Sequence, residues 1–111
     1  MIITEEASQI IGTTAKLEAE DTLSYLQLLY GTMLPSGNDA AFSIAEHFGN
    51  VLVEFKYSKC SAAIKDKVKS FYYGNKHVVR FFLKEMNMHA KDLGMNDSYF
   101  DSPHGLMNRF N

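Results

Sequence analysis

The sequence predicts a mainly α-helical protein with a short β segment at its N-terminus. Apolar residues recur at three- and four-residue spacing after residue 22, and β-branched residues cluster within the first 20 positions. The composition, 46% hydrophobic and 22% charged over 111 residues, is that of one globular domain or part of one rather than a disordered chain.

Ile2, Ile3 and Thr4, then Ile10, Ile11, Thr13 and Thr14, read as one or two short strands or extended segments over 1–20, with Gly12 as a turn or bulge. The remainder, 21–111, reads as helical. A helix is expected over 22–34, capped by Thr22, with Leu23, Leu26, Leu29, Tyr30 and Met33 on one apolar face. Pro35 ends it, because proline disfavours helical geometry at the preceding Leu34. Ser36-Gly37-Asn38 is then a turn, and Asn38 or Asp39 caps a second helix that runs to Phe48 and stops at Gly49. Ala40 and Ala41 at its start allow a backbone or a ligand to approach closely.

Residues 51–57 fit helix or strand, and 60–73 fit a helix. A last helix is expected over 76–93, capped by Asn75, with Val78, Phe82, Met86, His89 or Ala90, and Leu93 on one face. Gly94 ends it, and Met95 is placed for the apolar contact of a Schellman cap. Ser98-Tyr99-Phe100 is expected to be extended.

A net charge of −2 gives no basic excess, which argues against a dedicated nucleic-acid binder. One cysteine, Cys60, rules out an internal disulfide framework. No apolar run is long enough to span a bilayer, and Met1-Ile2-Ile3-Thr4-Glu5-Glu6 is a poor signal peptide. His47, His77, His89 and His104 have no metal-ligand spacing, and Met86, Met88 and Met95 read as core filler, so no metal or cofactor is expected. Cys60 reads as inert, and the lysines of 56–69 read as a solvated helix face.

The sharpest signal is the fourteen-residue stretch from Leu28 to Ala41, Leu-Leu-Tyr-Gly-Thr-Met-Leu-Pro-Ser-Gly-Asn-Asp-Ala-Ala. It resembles the second active-site motif of serine-type D-alanyl-D-alanine carboxypeptidases, which are low-molecular-mass penicillin-binding proteins of the β-lactamase/transpeptidase-like superfamily. The family pattern reads close to L-L-Y-G-x-x-L-P-S-G-N-D-A-A. Upstream, Ala7-Ser8 and Gly12 to Leu17 with Asp21 are similar to the segment before that helix, except that Glu20 stands where the family usually has glycine. Downstream, Met86-Asn87, Ala90 to Met95 and Ser102-Pro103-His104-Gly105-Leu106 are similar to M-N-x-x-A-x-x-L-G-M followed by N-P-H-G-L, with Ser102 replacing asparagine. The resemblance is good over 7–48 and 82–106 and poor over 49–80, a longer, lysine-rich connection.

The resemblance implies the helical subdomain of the β-lactamase/penicillin-binding-protein α+β fold, and hydrolysis of peptidoglycan stem peptides without metal or cofactor. A β-lactam would be the corresponding inhibitor, and the family works outside the cytoplasm. In these enzymes a serine in S-x-x-K is acylated, while S-x-N and K-T-G complete the site. By resemblance Ser36 passes a proton toward the leaving D-alanine, Asn38 bonds the substrate backbone and helps fix the lysine, and Gly37 lets the loop turn tightly against the substrate cleft. A serine hydroxyl is a poor nucleophile without a group to take its proton, so the missing partners matter.

The chain contains no S-x-x-K and no K-T-G, which the family places before and after the stretch matched here. The nearest match, Thr13-Thr14-Ala15-Lys16, is a T-x-x-K that reads as strand or turn residues with an exposed lysine, not as a nucleophile. Tyr73-Gly74-Asn75 mimics the Y-x-N of some relatives but reads as a helix end and cap. The expectation is therefore a partial carboxypeptidase domain over 1–111 that is inactive alone, against a non-catalytic remnant or interaction module on the same scaffold. A class A β-lactamase is the enzymatic rival; S-G-N and Pro103-His104-Gly105-Leu106 favour the carboxypeptidase.

Overall fold

A computed structural model describes residues 1–72 and 77–106 and contains five helices among them. These are α1 (Glu5–Ser8), α2 (Tyr25–Met33), α3 (Asn38–Tyr57), α4 (Ala62–Tyr72) and α5 (His77–Asp92). The chain divides into two compact units, Met1–His47 and Phe48–Asn111, with the division inside α3.

The N-terminal β segment is not seen. Among the described residues 1–20 contribute only an isolated antiparallel bridge between Ile2 and Thr22. Two local effects override the β-branched pattern. Thr4 caps α1 by accepting from the Ala7 N–H at 3.1 Å, and Glu5 and Glu6 occupy the first turn, where carboxylates favour a helix N-terminus. Further on, the N–H groups of Ala15 and Leu17, which a strand would offer to a neighbour, go to the Asp39 carboxylate at 2.9 and 3.1 Å. A segment whose donors are taken by side chains has no ladder to join.

Helix α2 starts three residues later than the sequence predicts. Its cap is Ser24 rather than Thr22, and Ser24 with Gln27 forms a reciprocal capping box. Leu34 keeps a helical conformation (φ −74°, ψ −55°) even before Pro35, held by its N–H on the Tyr30 carbonyl at 2.9 Å. Three residues of the expected apolar face point outward, with Leu26 and Tyr30 each 59% exposed and Met33 76%, while Leu23 and Leu29 are half-buried. The side that packs is Leu28 and Gly31, because a Cβ at Gly31 would already lie 3.3 Å from both Ala15 and Ala40. Close approach there selects the smallest residue over the greasiest.

In the second unit Gly49 does not stop a helix; α3 runs through it to Tyr57 and settles 51–57 as helical. A side chain at 49 would collide with the Val78 carbonyl, so this glycine permits a helix contact. Helix α5 ends as the sequence predicts. Gly94 adopts φ +76°, its N–H bonds Lys91 O at 2.9 Å, and Met95 N–H bonds Ala90 O at 2.9 Å, the paired bonds of a Schellman cap. The stripe Phe82, Met86, His89, Ala90 and Leu93 lines an open apolar cavity of about 460 Å³ instead of a closed core; the buried side chains of α5 include Val78, Val79 and Leu83. Asn75 and the Tyr73-Gly74-Asn75 triplet lie outside the described residues.

Candidate active-site turn

The turn Ser36-Gly37-Asn38 joins α2 to α3, and nearly every polar group around it is engaged. Gly37 N–H donates to the Gly31 carbonyl at 3.0 Å, and Asn38 N–H donates to Thr13 O at 2.8 Å. The Asn38 amide nitrogen reaches Ile11 O at 3.0 Å, and the Thr13 hydroxyl donates to the Ser36 carbonyl. Thr13 is thus committed to holding the turn. Gly37 is required sterically, since a Cβ there would lie 2.5 Å from Gly31 O and 2.9 Å from both Ala15 Cβ and Asp39 Oδ1.

Gly37, not Asn38 or Asp39, occupies the cap position of α3. Its carbonyl accepts the first helical bond, from Ala41 N–H at 3.1 Å, and Asn38 begins the helix. Asp39 has a different task. Fully buried, it accepts from Thr14 Oγ1 (2.7 Å), Ala15 N (2.9 Å), Leu17 N (3.1 Å) and Ala40 N (2.9 Å). Burial alone would raise its pKa, but these bonds together outweigh it and hold the carboxyl below its usual value. The negative charge also sits at the positive end of α3. One ionised side chain therefore pins the Thr14–Leu17 loop to the turn.

Ser36 stands apart from this scaffold. It is exposed, and its backbone takes the left-handed conformation (φ +56°), which costs a non-glycine residue about 1–2 kcal/mol. No hydrogen bond of its hydroxyl occurs among the described residues. Asn38, by contrast, is only 5% exposed and uses one of its donors on Ile11. Ser36 and Gly37 lie between the helices as the sequence predicts, whereas Asn38, expected in the turn, is the first residue of α3. The sequence reading missed Asp39 as an anchor, with Thr14, Ala15 and Leu17 as its partners in the preceding loop. An acid placed directly after the turn, followed by two alanines, was the available signal.

Position 20 explains itself in the same way. Glu20 has φ +72°, the region that glycine occupies freely, so a glutamate here holds a glycine-like backbone conformation. Its N–H bonds Ile3 O at 2.9 Å, and Ile3 N–H bonds Asp21 O at 2.9 Å.

In the second unit the downstream stretch has its own geometry. Asn87 donates to Phe100 O at 2.8 Å and accepts from Phe100 N–H at 2.7 Å, clamping the segment after α5. Ser102, buried, accepts from Gly105 N–H at 3.1 Å, the turn bond that an asparagine side chain would also make. Burial draws the His104 imidazole below its usual pKa, with Asp101 opposing. No group of three or more His, Cys, Asp or Glu residues suited to a metal occurs among the described residues.

A D-alanyl-D-alanine carboxypeptidase from a Streptomyces species is 34% identical to this chain over 97 residues, 87% of the chain and 26% of that protein. The chain is homologous to part of a D-alanyl-D-alanine carboxypeptidase. It spans about a quarter of that relative's length. No family model matches. No helix among the described residues is long and apolar enough to cross a membrane.

Proposed function

We propose that the chain supplies the S-x-N corner of a serine-type D-alanyl-D-alanine carboxypeptidase acting on peptidoglycan stem peptides, with Ser36 and Asn38 catalytic and Gly37 at the substrate cleft. The observation that carries this is the contrast at the turn. The surrounding groups are tied down, while the Ser36 hydroxyl is exposed on a strained backbone and engaged with nothing among the described residues. Strain held by its surroundings at an exposed hydroxyl is the arrangement of a functional group rather than a packing one.

In this reading Ser36 relays a proton between the acylated serine, its lysine and the leaving amine. Asn38, anchored through its amide nitrogen, keeps its Oδ1 to accept from the lysine ammonium or the substrate amide. The chain has neither the nucleophile nor its lysine, so by itself it neither hydrolyses the peptide nor takes up penicillin. The second reading is a non-catalytic module on the same scaffold.

Grafting residues 7–106 into the Streptomyces relative, in place of its matching stretch, separates the two. A chimera that is folded and acylated by penicillin supports the catalytic corner; a folded chimera with no penicilloyl adduct in its intact mass supports the module. The chain alone is expected to give no adduct.

A further inference from the structure

Charge in this protein is strongly divided. Residues 56–84 hold eight of the eleven lysines and arginines and only one of the thirteen acids, leaving three bases and twelve acids elsewhere. A net charge of −2 hides that separation. The segment lies outside the Leu28–Ala41 motif, so a site built from it is independent of the role given to Ser36.

Within the second unit these charges meet at a cavity of about 300 Å³ between α3, α4 and α5. Lys56, His77, Arg80 and Lys84 line it together with four aromatic rings, and no carboxylate among the described residues does. His77, Arg80 and Lys84 are spaced to share one stripe of α5, while Lys56 comes from the last turn of α3. The Lys56 ammonium lies 5.0 Å from the Phe81 ring centroid and 6.0 Å from that of Tyr57. Phe71 stacks on His77 at 4.6 Å and 15°, and Tyr72 meets Phe81 edge-on at 5.8 Å.

The Lys56 and Lys84 ammonium groups line one small space and repel, and an anion between them relieves that repulsion. Ring faces hold Lys56 by cation–π attraction without neutralising it. The cavity is too small for a polymer to enter but falls at the lower end of the volumes that take small ligands. We infer that this cavity binds a small phosphorylated molecule carrying a flat ring, its phosphate between Lys56 and Lys84 and its ring against the aromatic wall.

Phenyl phosphate titrated into the intact chain, followed by amide and imidazole NMR shifts, tests this. The expected result is saturable binding centred on residues 56, 77 and 84, stronger than for inorganic phosphate or phenol, and weakened by salt. The double variant Lys56→Gln/Lys84→Gln should lose tenfold or more in affinity. The control pair Lys59→Gln/Lys67→Gln, on exposed residues that do not line the cavity, should change it less than twofold. Absence of saturable binding, or equal losses in both pairs, overturns the site. So does cosedimentation with phosphatidylglycerol vesicles in the absence of phenyl phosphate binding, which would assign the charge to a membrane surface. Unchanged far-ultraviolet circular dichroism shows that each variant is folded.

Discussion

The turn at 36–38 and helix α4 are held in opposite ways. The turn is fixed by polar bonds converging on a buried carboxylate, and the residues Gly37 to Ala41 are all buried. Helix α4 buries no residue, and Ile64 and Phe71 remain about half exposed. The first region lies within the fourteen-residue stretch from Leu28 to Ala41 and the second outside it. A network whose members each satisfy several partners tolerates little change, whereas a helix lying on a surface accepts lysines at will.

That comparison can be broken most forcefully at Asp39. Replacement by alanine leaves three backbone N–H groups and a hydroxyl without their acceptor, and should cost about 3–4 kcal/mol, read as a lowered urea midpoint. The same network sets a pH dependence. The folded-state pKa of Asp39 is depressed, so its contribution is present above the unfolded value near 3.8 and fades as pH falls through the lower folded value. The Asp39→Asn variant should flatten that acid limb.

Gly37→Ala comes next. A Cβ 2.5 Å from the Gly31 carbonyl forces the turn to move, at about 1–3 kcal/mol. Glu20→Gly sharpens the contrast in the other direction. Relieving a left-handed glutamate at φ +72° should stabilise the fold by about 1 kcal/mol, seen as a higher melting temperature. The smallest effect is expected in α4, where Lys67→Gln should stay within about 0.5 kcal/mol. A loss at Lys67 as large as that at Gly37 would contradict the division between the two regions.

Legibility in the sequence divides along a similar line, between local and distant causes. The turn, the Gly94 stop and the helix over 62–72 were legible because they rest on local rules: Pro35 and Gly37 between periodic stretches, a left-handed glycine, and a lysine-interleaved apolar stripe. Gly49 was misread as a stop because its role is set by Val78, distant in sequence, and nothing local announces it. The β-branched N-terminus was misread because Thr13, Thr14 and the N–H groups near them are claimed by Ser36 and Asp39 rather than by a neighbouring strand. Leu26, Tyr30 and Met33 have the period of a buried face yet are exposed, since α2 packs through Leu28 and Gly31. Ser36, Gly37 and Asn38 stand out through a fourteen-residue motif, but Asp39 as the anchor of the preceding loop is visible only in three dimensions.

The central claim is that the turn is a scaffold and Ser36 the working group it presents. The most direct measurement is the penicillin acylation rate of the chimera with Ser36→Ala, taken with its melting temperature. General acid–base participation predicts a rate lowered about 10²–10⁴-fold with melting within a degree or two of the parent, because the hydroxyl supports no bond of the fold. Parental acylation in a well-folded Ser36→Ala chimera would contradict the account.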